Sequence, residues 1–130
     1  MPDFDLLLTD GEIVTPSGRG PAAIGISDGR IAAIGDLDRA AAAERISVSG
    51  LTVLPGVIDS QVHFREPGLE YKEDLETGAR SAALGGVTCV FEMPNTKPPT
   101  TTPDALTDKV GRARHRMYCD FAFYGGATTE

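Results

Sequence analysis

The sequence predicts an α/β protein in two parts, a small β-module over residues 1–54 and the opening units of a parallel βα sheet over residues 55–130. Three observations predict it. Two Asp-Gly pairs, Asp10-Gly11 and Asp28-Gly29, each lie between short apolar runs, which is a hairpin signal. From Pro55 onward the pattern changes to strand, helix, strand, helix, strand, the order that builds a parallel sheet. The first of those strands ends in Asp59, Gln61, His63 and Arg65, four polar residues at the two-residue spacing that puts them on one strand face. Four polar groups on a buried strand are costly unless they bind something.

In the first part, Phe4 to Leu8 and Glu12 to Val14 read as strands about Asp10-Gly11, and Thr15 to Gly20 as a loop. Ala22 to Ser27 is a second run, Asp28-Gly29 its turn and Arg30 to Ile34 the return strand. The alanine-rich stretch Asp36 to Glu44 reads as a short helix, with further strands at Ile46 to Ser49 and Leu51 to Leu54 about Gly50. In the second part, Val57 and Ile58 read as a buried strand that Glu66-Pro67-Gly68 stops. Glu73 to Leu84 is a helix with Leu75, Ala79, Ala82 and Ala83 on one stripe, which Gly85 ends in a left-handed conformation. Val87 to Phe91 is the second strand. Thr102-Pro103-Asp104 is a helix start, with an oxygen cap, proline at the first position and an acid in the first turn. Leu106, Val110, Ala113 and Met117 form that helix's apolar stripe, and Tyr118 to Tyr124 is the third strand.

Composition bounds the function. The 130 residues are 41% hydrophobic and 24% charged, enough apolar material for a core. A net charge of -7 argues against a nucleic-acid partner, which needs a basic face. No stretch reads as a signal peptide or membrane span. Cys89 and Cys119 sit in apolar runs and read as reduced core residues of a cytoplasmic protein.

Among the polar residues, His63 reads either as a metal ligand or as a core histidine satisfied by a hydrogen bond. Gln61 offers only a neutral amide oxygen, a poor zinc donor. Arg65 presents a guanidinium fork suited to a carboxylate, or pairs at the surface with Glu66 or Glu70. Asn95 sits in a turn after the second strand, where asparagine serves turn geometry or points an amide at a ligand. Asp59 reads as a support that fixes the ring of a ligating histidine. Lys72 reads as part of a solvated helix start, and His115 as part of a basic helix end.

The stretch Pro55-Gly56-Val57-Ile58-Asp59-Ser60-Gln61-Val62-His63 resembles the first barrel strand of the cyclic amidohydrolases, the family of dihydroorotase, allantoinase and hydantoinase. Their pattern is Pro-Gly, two apolar residues, then Asp-x-His-x-His, so Gln61 stands where the family has its first histidine. Phe64-Arg65-Glu66-Pro67-Gly68, Lys72-Glu73-Asp74, Glu76-Thr77-Gly78, Gly85-Gly86-Val87-Thr88 and Met93-Pro94-Asn95-Thr96 are similar to the dihydroorotase branch, with allantoinase and hydantoinase the weaker matches.

The resemblance implies the N-terminal part of a metal-dependent-hydrolase (β/α)8 TIM barrel, preceded by a small β-sandwich module. Such a barrel needs about 200–250 residues, so the chain is too short to close it and is expected to belong to a longer polypeptide. The implied activity is metal-dependent reversible hydrolysis of dihydroorotate to N-carbamoyl-aspartate, a step of pyrimidine biosynthesis. His63, and more weakly Gln61, are the implied metal residues, with one or two zinc ions in the whole protein. Arg65 and Asn95 are the implied residues for the substrate carboxylate, and Asp59 the support. The general base and the later ligands fall outside the chain, so the chain alone is expected to be inactive. Gln61 keeps open a second expectation, a non-catalytic homologue that acts as a structural partner, for instance of aspartate transcarbamoylase. A small-molecule substrate and a homo-oligomer complete the expected partners.

Overall fold

The computed structural model describes residues 2–128, which divide into two compact units, one up to Pro55 and one from Gly56 onward. The first unit is one mixed sheet. Strands β1 (Phe4–Thr15), β2 (Gly18–Ser27), β3 (Arg30–Gly35) and β4 (Ala42–Ser47) lie in the order β3-β2-β1-β4, and the short β5 (Thr52–Val53) also pairs with β1. The hairpins β1–β2 and β2–β3 are antiparallel, while β4 and β5 run parallel to β1. Leu7, Ile13, Ala23 and Ile24 are its buried residues. Of the small β-sandwich module expected in the whole protein, the described residues form one sheet.

Two local expectations are corrected. Asp10-Gly11 is not a hairpin turn. Strand β1 runs through it with a bulge between Leu8 and Gly11, and Asp10 takes φ 65°. Asp tolerates the left-handed region, which suits a bulge as well as a turn. The hairpin is made instead at Pro16-Ser17, while Asp28-Gly29 forms its turn with both residues at positive φ (51° and 69°), as a two-residue hairpin requires. The second correction concerns Asp36 to Glu44, which forms no helix. The Asp3 carboxylate accepts the Ala41 amide (2.9 Å), and Ala42 onward pairs with β1, Phe4 opposite Ala42 and Leu8 opposite Ile46. A stretch this short is marginal as a helix in water, so the open edge of β1 decides its conformation.

The second unit alternates β6 (Val57–Val62), α1 (Leu75–Leu84), β7 (Val87–Glu92), α2 (Pro103–Ala113) and β8 (Asp120–Phe123). Its sheet has the order β6-β7-β8 and is parallel throughout. Phe64, Leu75, Ala79, Val90 and Ala113 form the core, with Val62, Val87, Met117, Phe121 and Phe123 packed against it. Helix α2 starts as expected, while α1 starts at Leu75 rather than Glu73. Asp74 caps α1 by accepting the Glu76 and Thr77 amides (2.9 Å each), and Thr102 caps α2 by accepting the Ala105 amide (3.2 Å) ahead of Pro103. Gly78 is required by close approach, since a Cβ there would lie 2.4 Å from the Phe64 ring.

Three further expectations change here. Gly85 has φ -86°, and the left-handed residue is Gly86 at φ 84°. Val57 and Ile58 are 51% and 64% exposed rather than buried, because β6 is an edge strand among the described residues. The buried face of α2 is Lys109 and Ala113 rather than the full stripe, and Leu106 lies exposed.

Candidate functional site

The C-terminal ends of β6 and β7 carry the site. Strand β6 stops at Val62, whose carbonyl accepts the Met93 amide (3.0 Å), and the two chains leave the sheet together. The expected alternation does not continue through Arg65. Asp59 and Gln61 lie on the strand, His63 follows its end, and Arg65 sits in a turn at φ 69°. The four residues therefore do not share one strand face. The loops after β6 and β7 are joined by the Lys97 amide donating to the Pro67 carbonyl (2.8 Å), and Gly68 packs so tightly there that a Cβ would lie 2.1 Å from the Lys97 carbonyl oxygen.

This junction brings His63 to Asn95. His63 Nδ1 lies 2.9 Å from Asn95 Oδ1. An amide oxygen can only accept, so Nδ1 is the donor, and in the neutral ring this tautomer leaves the lone pair on Nε2. The ring orientation expected from Asp59 comes from Asn95. Asp59 Oδ1 instead accepts the Gln61 amide of its own strand (3.0 Å), and the Gln61 side chain is exposed. The half-buried Arg65 guanidinium makes no ion pair or hydrogen bond among the described residues. Its expected surface partners are otherwise engaged, with Glu66 on Arg116 and Glu70 on the Gly68 amide.

Two buried carboxylates, neither anticipated as a site residue, hold this turn. Glu92 Oε1 accepts the amides of Phe64 (3.1 Å) and Arg65 (3.2 Å). Its Oε2 faces Lys109 Nζ at 3.4 Å, and the two side chains are 1% and 0% exposed. Lys109 also donates to the Met93 carbonyl (3.0 Å) and to Thr100 Oγ1 (3.4 Å), and lies over the Phe123 ring. Burial pushes the Glu92 carboxyl up and the Lys109 ammonium down, each opposed by the charge of the other. Glu66 takes the Arg116 guanidinium on both oxygens (2.7 and 3.0 Å) and accepts the Leu75 amide (3.1 Å), fixing the same loop to the start of α1 and to the turn after α2. The bond to Glu66 raises the Arg116 pKa. The available signals were Glu92, a charge closing the apolar run Val87 to Phe91, and Lys109, between Ala105 and Ala113 at helical spacing on the packed face.

Among the described residues, no three His, Cys, Asp or Glu side chains converge as a metal site. These residues by themselves do not make a donor set. His63 Nε2 is the donor the junction offers. Cys89 and Cys119 are unpaired thiols, and burial raises the Cys119 pKa. No helix among the described residues is long and apolar enough to cross a membrane.

The sequence model described as dihydro-orotase-like matches residues 50–128, more than half of the chain and all of the site just described. The chain belongs to the dihydro-orotase-like family. Its relatives in that family carry several activities. An allantoinase of Deinococcus radiodurans is 42% identical over 96% of this chain and 28% of its own length. A dihydroorotase of Methanothermobacter thermautotrophicus is 45% identical over 79% of this chain and 24% of its own. The structure of an L-hydantoinase from Arthrobacter aurescens superposes with a TM-score of 0.89 at 39% identity, over 97% of this chain and 28% of that one. The chain thus spans about a quarter of the length of these relatives. The cyclic amidohydrolase character expected from the motifs stands. Allantoinase and dihydroorotase match at like strength, so the expected ranking of dihydroorotase over the other two is not reproduced.

Proposed function

We propose that the polypeptide containing this chain is a cyclic amidohydrolase whose substrate ring bears a carboxylate, and that its reaction is the reversible hydrolysis of dihydroorotate to N-carbamoyl-aspartate in pyrimidine biosynthesis. The observation that carries the reading is the meeting of His63 and Asn95 at the ends of two parallel strands, with Arg65 two residues beyond His63 and its guanidinium without a partner among the described residues. In this reading the three strands open a (β/α)8 barrel, whose chemistry sits at the C-terminal strand ends. Arg65 grips the carboxylate through two parallel hydrogen bonds. Asn95 seats the His63 ring through its oxygen and has its amide N–H groups left for the same carboxylate. His63 Nε2 holds zinc together with ligands outside the chain. Polarisation of an amide carbonyl and activation of water are what such an ion supplies. Gln61 adds at most a weak oxygen donor. The general base lies outside the chain, and the protein works in the cytoplasm, with a homo-oligomer as the expected assembly.

Gln61 favours a second reading, a family member that has lost catalysis and serves as a structural partner, for instance of aspartate transcarbamoylase. Turnover of dihydroorotate, allantoin and hydantoin by the longest native polypeptide separates the readings. Dihydroorotate is expected to have the highest kcat/KM, and Arg65→Met to lower it by roughly 100-fold, the loss expected when one partner of a charged pair is truncated. A higher kcat/KM for allantoin or hydantoin would replace the substrate. No turnover of any of the three by metal-loaded protein would select the structural reading.

A further inference from the structure

Arg65 stands in an unusual backbone. Its φ is 69°, and the Glu66 amide donates across it to the Phe64 carbonyl (2.9 Å), closing a three-residue turn with a positive central φ. Such turns are rare and strained, and persist where neighbouring groups over-determine them. The group that does so here is Glu92, whose Oε1 takes the two successive amides of Phe64 and Arg65, on either side of the Phe64 Cα (3.1 and 3.2 Å). An acceptor at this point is obligatory, because an apolar side chain would leave buried amides without partners.

We propose that Glu92, anchored by Lys109, is a positioning residue: it holds Arg65 in the left-handed turn from which the guanidinium meets the substrate carboxylate. The proposal rests on the reading of Arg65 as the carboxylate clamp. Lys109 neutralises the buried Glu92 carboxylate (3.4 Å), and its ammonium also binds the carbonyl of Met93 (3.0 Å). A pair serving stability alone is replaceable by apolar residues of similar volume. A positioning pair is replaceable only where the acceptor oxygen survives. That difference makes the two roles separable.

The test uses the longest native polypeptide and four forms: wild type, Arg65→Met, Glu92→Ala, and the double variant Glu92→Gln with Lys109→Met. The double variant keeps an oxygen for both amides, buries no unpaired charge and is the form to use if Glu92→Ala does not fold. The readouts are KM and kcat for dihydroorotate and for dihydrouracil, the same ring without the carboxylate, together with hydrogen exchange of the Phe64 and Arg65 amides. Glu92→Ala is expected to raise KM for dihydroorotate tenfold or more, to leave KM for dihydrouracil within twofold, and to speed exchange at both amides. The double variant is expected to keep KM within about threefold of wild type for both rings. Equal KM changes for the two rings in Glu92→Ala, or a double variant that loses dihydroorotate as Glu92→Ala does, would overturn the proposal. If Arg65→Met leaves both KM values unchanged while Glu92→Ala speeds exchange, the carboxylate reading fails and Glu92 remains the residue that holds the turn.

Discussion

The two units of this chain bury different things. The sheet up to Pro55 keeps Leu7, Ile13, Ala23 and Ile24 inside, and its ion pair between Arg19 and Glu12 lies in solvent. All the buried polar and charged residues among those described, Glu66, Glu92, Thr96, Thr100 and Lys109, lie in the second unit. A sheet that only has to fold closes its backbone bonds in ladders and needs no buried charge. Loops that leave a sheet and must hold a fixed shape have amides that no ladder satisfies, and here carboxylates take them. Buried charge in this chain follows the candidate site rather than the fold.

The largest effect is expected from Lys109→Met. It leaves the Glu92 carboxylate buried without its cation, so unfolding of the native polypeptide should become easier by about 3–5 kcal/mol. Adding Glu92→Gln should restore most of that loss, and a single variant as stable as wild type would show that the pair carries no stability. The matching experiment in the first unit is Leu7→Ala, at a side chain with 0% exposure. A cavity there should cost about 2–5 kcal/mol while leaving KM unchanged. A KM change would tie the first unit to the site and dissolve the contrast.

Smaller in size is the cap of α1. Asp74→Ala should cost about 1 kcal/mol. The Asp74 carboxyl is held below its ordinary value of 3.8, chiefly by the Thr77 amide, so its contribution is complete above that value and lost as pH falls through the lowered one. Asp74→Asn keeps an accepting oxygen and should flatten that part of the acid-unfolding curve, which pH-dependent melting would show. Smallest is Arg19→Ala, at an exposed pair, where the thermal midpoint should not move.

Much of the second unit was legible because its signals are local. The Thr102-Pro103-Asp104 cap, the strand–helix alternation and the β7 run each depend on a few neighbouring residues. Asp28-Gly29 was legible for the same reason. Asp10-Gly11 was not, since the same two residues serve a bulge or a turn, and the pairing with β2 decides between them. The Ala42–Ser47 strand was hidden because its conformation is set by β1, some forty residues away. At the site, His63, Arg65 and Asn95 could be picked out by motif, but their arrangement could not. The turn at Arg65 depends on Glu92, and the ring of His63 on Asn95, both contacts across the two loops. Lys109 was missed because helical periodicity marks a packed position and says nothing of a charge whose partner lies on another element.

The central claim is that His63, seated by Asn95, presents Nε2 to a metal in the whole protein. The direct measurement is the transition-metal content per chain of the longest native polypeptide, purified without chelator, for wild type and for His63→Ala. At least one tightly held ion per wild-type chain and a clear loss in the variant are expected. No metal in wild type even after zinc is offered, or the same content in both proteins, would contradict it.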